Sequence, residues 1–131
     1  MVKKTISIFV FIAIIFSAGF FESNYIIKSF SFLENELVVV LNMLETDEEN
    51  IDKPLNIQKL KDLHKAWQER TKILKFFVWH TGIKEVEVGL SRITSYTEEN
   101  NFTEAYTELN NLSDYCKHYQ QDYRFSLQNV I

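Results

Sequence analysis

Cysteine, proline and glycine are scarce in this 131-residue chain, which holds one, one and three of them. A single cysteine, Cys116, excludes an intramolecular disulfide, so the fold must stand on packing. With so few turn formers, a handful of long elements is expected rather than many short strands. The formal net charge of −4 provides no electrostatic case for nucleic acid, whose binding rests on clustered cations. The motifs of common chemistries are absent too. There is no His-x-x-x-His or Cys-x-x-Cys metal spacing, no Gly-x-Ser-x-Gly elbow and no glycine-rich phosphate loop. No catalytic residue, metal or cofactor is called for, and the chain is not expected to be an enzyme.

What is present is apolar bulk. Aromatic residues make up 15% of the chain, including 11 Phe and 6 Tyr, enough for a core in a short domain. At the N-terminus, Lys3 and Lys4 precede an uncharged run from Thr5 to Phe21 that ends at Glu22. Seventeen residues fall slightly short of the roughly 20 that cross hydrocarbon, and Glu22 can snorkel. Lysines ahead of the run place the N-terminus in the cytoplasm and the remainder outside. The competing reading is a secretory signal peptide cleaved after Ser17-Ala18-Gly19. The uncleaved anchor is preferred, because apolar, helix-compatible sequence continues past Gly19 without a break.

Downstream, apolar residues recur at helical spacing. Ile26, Phe30, Leu33, Leu37, Val40 and Leu44 form one stripe, read as the continuation of the anchor into a single helix ending near Glu45. An acidic loop closes on the sole proline, Pro54, and Asn56 is the expected cap of the next helix. That helix carries Ile57, Leu60, His64, Trp67, Thr71, Leu74 and Val78. A third stripe, Trp79, Ile83, Val86, Leu90, Ile93 and Thr97, is out of phase with it by about 100°, which puts a turn at His80 to Gly82, with a kinked continuous helix as the alternative. Asn101 with Glu104 makes a capping-box-like start for the fourth stripe, Phe102, Ala105, Leu109, Leu112, Cys116, Tyr119, Tyr123 and Leu127. The expected fold is all-α. An anchor over 1–27 leads into an antiparallel four-helix bundle over 28–131, with helices near 26–46, 56–79, 83–99 and 102–128.

Charge is uneven along this plan. Residues 34–52 hold seven acids and no base, 57–79 hold six bases and two acids, and 84–122 hold three bases and eight acids. A basic helix between acidic neighbours favours one packing order. The functional alternative is a basic strip for anionic lipid headgroups or cell-wall polymer.

Candidate site residues are few. His64 sits on an apolar stripe, where a hydrogen-bonded core histidine is the default reading. Cys116 and His118 face different sides of their helix, and a zinc site there would need two more ligands from elsewhere. His80 and Glu87, seven residues apart, share a flank at the core's edge about 10 Å apart, too far for a direct bond. Their expected partners come from Arg92, Tyr119 or Tyr123, as a polar network fixing helix register or, alternatively, a ligand or metal site. Trp67, Trp79, Tyr119 and Tyr123 are expected core aromatics.

Several spaced features together resemble one family. They are the lysines before the apolar helix, Trp67, the run His80-Thr81-Gly82-Ile83-Lys84-Glu85-Val86-Glu87 leading into Leu90-Ser91-Arg92-Ile93, the acidic turn before Glu104-Ala105, and the terminal Asn129-Val130-Ile131. The chain is similar in these to short membrane-anchored bacterial proteins catalogued as domain of unknown function 4363. Gly82 departs from the pattern, standing where an acidic residue is expected. The resemblance implies an anchored helical protein and supplies no mechanism. The expected function is protein interaction by a single-pass protein of the cell membrane, its C-terminal domain extracytoplasmic and its partner another envelope or membrane protein. The oligomeric state is left open.

Overall fold

The structure, a computed structural model, describes residues 2–78 and 80–130, with side chains throughout these except at 80 and 125–130. Trp79, expected in the core, and the side chains of His80 and Leu127 therefore lie outside the described residues. Four helices account for nearly all of it: α1 (Val2–Glu45), α2 (Pro54–Leu74), α3 (His80–Glu98) and α4 (Phe102–Val130).

The first helix is one continuous element of 44 residues. Its N-terminal half is apolar on every side beyond Lys4 and exposed through Phe21. A helix apolar all round finds no water-compatible orientation. An 18-residue window within it has a mean hydropathy of 2.1, and none of that window is covered by the rest of the protein. Beyond Glu22 the pattern becomes one-sided. Ile26, Phe30, Leu33, Leu37, Val40 and Leu44 are buried, joined by Ser29.

The helices form a ring. α1 packs against α2 and α4, and α3 packs against the same two. This order seats the basic α2 between α1 and α3, and Lys59 of α2 pairs with Glu36 of α1. At the end where α1 emerges, aromatic rings join three helices. Phe30 meets Trp67 edge-on at 5.4 Å and stacks on Tyr119 at 4.2 Å, and Tyr119 stacks on Tyr123 at 5.3 Å. Each such pair adds about 0.5–1.5 kcal/mol beyond area burial.

Three expectations about α2 and α3 are corrected. The second helix starts at Pro54, whose missing N–H is harmless in a first turn, and not after Asn56. Asn56 is buried, and its side-chain amide donates to the Ile51 carbonyl at 3.0 Å. The core face of α2 runs through Leu60, Leu63, Trp67 and Leu74, with His64 and Thr71 displaced to its flank. The break between α2 and α3 falls at 75–78 rather than at His80 to Gly82. There the Phe76 and Phe77 amides bond three residues back, to Ile73 and Leu74, and the helix winds down before Gly82 is reached. Gly82 lies within α3 with an ordinary helical φ. A Cβ there would meet the Tyr119 ring at 3.3 Å, so its bareness lets α4 approach closely.

The third helix closes as the acidic turn implied, with an added device. Asn100 takes the left-handed conformation at φ 57°, and Asn101 N–H bonds to Tyr96 O at 2.8 Å while Asn100 N–H bonds to Thr97 O at 3.1 Å. This is a Schellman ending with asparagine in glycine's place. Asn101 then caps α4, accepting from the Glu104 N–H at 3.2 Å.

Candidate functional site

Of the expected polar flank, the His80 side chain lies outside the described residues, and Glu87 and its surroundings are described. Glu87 follows the buried Val86, which sets it at the core's edge on α3. What faces it is His64 from α2, with Nε2 3.9 Å from Glu87 Oε2. Among the described residues that buried nitrogen has no hydrogen-bond partner, whereas a hydrogen-bonded core histidine was expected. The contact becomes an ion pair only when the imidazole is protonated. With the two side chains 24% and 37% exposed, such a pair contributes about 0–1 kcal/mol.

An open groove runs along this flank, lined by Lys61, His64, Lys65, Gln68, Ser91 and Thr94. Glu87 and Arg92 line its continuation beside Tyr96. Tyr119 and Tyr123 do not join Glu87; they belong to the aromatic stack on Phe30. The flank thus unites Glu87 and Arg92 with an unforeseen His64. The signal was present, since Leu60, Leu63 and Trp67 also read as a helical stripe, and choosing it moves His64 to the edge.

Elsewhere the polar chemistry is structural. Cys116 is fully buried and burial pushes its thiol up to about 12, with Glu34 adding to the effect. Burial, and then Tyr123, raises the Tyr119 hydroxyl. His118 is exposed and bonded to the Asp114 carbonyl, facing away from Cys116 as expected. Lys53, 2.8 Å from Asp47, hydrogen-bonds that carboxylate and lowers its pKa, bracing the α1–α2 loop. Trp67 is wholly buried, and its indole N–H has no partner among the described residues. Among the described residues, no group of three or more His, Cys, Asp or Glu is placed to hold a metal ion.

These features define an all-helical bundle extended at its N-terminus by an exposed apolar helix of membrane-spanning length. Within that class, the chain belongs to the family described as Domain of unknown function (DUF4363), whose model matches residues 20–130. Neither a curated protein nor a solved structure matches the chain.

Proposed function

We propose that the protein is a single-pass anchored bundle of the bacterial cell membrane. Its N-terminus is cytoplasmic and its domain extracytoplasmic, and it works through contact with another envelope or membrane protein rather than by catalysis. The observation that carries this reading is the unbroken α1, whose exposed apolar half runs directly into the helix that supplies one wall of the core. With no hinge between span and domain, the bundle is held at a fixed height and orientation, as suits a docking role. Val38 and Val39 on the outside of α1 and Leu55 in the first turn of α2 are exposed at 47%, 42% and 73%, apolar surface at the end far from the anchor. Photo-crosslinkers placed at these three positions of the full-length protein in its native membrane should capture one discrete protein. An impermeant thiol reagent applied from outside should label a Glu48→Cys variant. Absence of any specific adduct across all three positions would reject the interaction reading, and labelling only after lysis would reverse the topology.

A further inference from the structure

The turn between α2 and α3 lies at the end of the bundle from which the apolar half of α1 emerges, and its chemistry matches that location. Arg70 Nη1 hydrogen-bonds Ser29 Oγ at 3.3 Å, while Lys59 pairs with Glu36, so α2 descends along α1 toward the membrane end. Four residues beyond Arg70, Leu74 is about 6 Å lower, level with Tyr25 and Ile26. The turn at 75–78 follows at that end of the bundle, the end from which the apolar half of α1 emerges. The uncharged run is about 26 Å long at 1.5 Å per residue, against a hydrocarbon layer of about 30 Å. The headgroup layer must therefore rise to Glu22 and past it, toward the end of the bundle where the turn lies.

The surface offered there is amphipathic. Phe76 is 74% exposed and Ile73 42%, the largest apolar exposures among the bundle's described residues at this end. Lys72, paired with Glu69 at 3.1 Å, and Lys75 are exposed beside them, and Lys75 Nζ lies 5.5 Å from the centre of the Phe76 ring. Arg70, just above, lies over the Phe32 ring at 4.3 Å. An exposed phenyl flanked by lysines is costly in water, but it suits an anionic interface, where the ring enters the acyl boundary and the ammonium groups meet phosphate.

We infer that the Ile73–Phe76 turn, with Lys72 and Lys75, is a second membrane contact that seats the bundle on the anionic headgroups of the bilayer its first helix spans. This rests on the anchored reading. Two attachment points, one spanning and one interfacial, fix both the tilt of α1 and the face that the bundle turns outward.

The test uses the full chain in nanodiscs containing anionic lipid. A trifluoromethyl group is placed in separate samples on the ring of Phe11 in the span, Phe76 in the turn, and Phe102 at the far end. Lipid carrying a nitroxide at the headgroup should broaden the Phe76 fluorine signal and leave Phe102 sharp, while a chain-level nitroxide broadens Phe11. The broadening at Phe76 should fall in purely zwitterionic discs and in a Lys72→Gln, Lys75→Gln variant. A Phe76 signal as sharp as that of Phe102, with Phe11 broadened, overturns the interfacial contact and leaves the anchor standing. A sharp Phe11 signal defeats the anchored reading, and this inference with it. Broadening at Phe76 that ignores both lipid charge and the lysines overturns the anionic preference.

Discussion

Asn100 accepts a hydrogen bond from the Ile51 amide at 2.8 Å, joining residues 49 apart in the chain. Its side-chain amide also donates to the Glu49 carbonyl at 2.8 Å. One residue thus ends α3 and ties its turn to the α1–α2 loop, beside the wholly buried Ile51.

Two substitutions separate the roles of Asn100. Asn100→Gly keeps the left-handed backbone and orphans the Ile51 N–H, a loss of about 1–2 kcal/mol. Asn100→Ala adds the left-handed penalty of a Cβ, for a total of about 2–4 kcal/mol. Denaturant unfolding of the full chain in mild detergent checks the order, and equal losses for both variants would contradict it.

Gly89 lies on α3 against Leu112 of α4, and an added Cβ would stand 3.1 and 3.2 Å from its two methyl carbons. Alanine's better helix propensity is worth up to about 1 kcal/mol, while overpacking a filled core costs about 1–3 kcal/mol. Leu112 is 5% exposed and has little room to retreat, so the clash wins and Gly89→Ala should lower stability by about 1 kcal/mol. Adding Leu112→Val should recover part of this. At Gly19 a Cβ meets nothing within 4 Å, so Gly19→Ala should cause no loss. A Gly89→Ala variant as stable as the parent would refute the close-approach account.

For Trp67, Trp67→Phe sheds a buried N–H that has no partner among the described residues, recovering about 1–3 kcal/mol of desolvation, and forfeits a comparable amount of packing. The two nearly cancel, so the variant should lie within about 1 kcal/mol of the parent, whereas Trp67→Ala should cost about 3–5 kcal/mol. A loss above about 3 kcal/mol for the phenylalanine variant would mean that the indole N–H has a partner in solution.

Alkali should unfold the bundle through Cys116 and Tyr119. Burial raises both above their ordinary values of 9.0 and 10.0, so the folded state keeps protons that the unfolded chain releases. Stability from Cys116 is intact below pH 9 and declines as pH rises toward about 12, by up to about 1.4 kcal/mol per pH unit. Thermal melts at pH 8 and pH 10.5 should show the drop, and Cys116→Ala should flatten it. An unchanged slope in that variant would remove Cys116 from the account.

Much of the fold was legible because its causes are local. The uncharged run from Thr5 to Phe21, the single-helix continuation to Glu45 and the stripe from Ala105 to Cys116 follow from hydropathy and a 3.6-residue period, which neighbouring residues define among themselves. The Asn101 cap is equally local, a side chain reaching an amide three residues on. The family resemblance was legible for the same reason, being a pattern of spaced residues.

The pairings were settled only by the tertiary structure. A helical stripe is about 100° wide, and which residue at its edge meets a neighbour depends on how far each helix is rotated about its axis. That rotation put Leu63 in the core, moved His64 out to Glu87, and left Tyr119 free to stack on Phe30 and pack against Gly82. The tie from Asn100 to Ile51 depends on two loops meeting at one end of the bundle, which no local pattern encodes. The sequence by itself determined an apolar helix leading into amphipathic ones. Packing decided which faces close on each other, and therefore which polar groups meet.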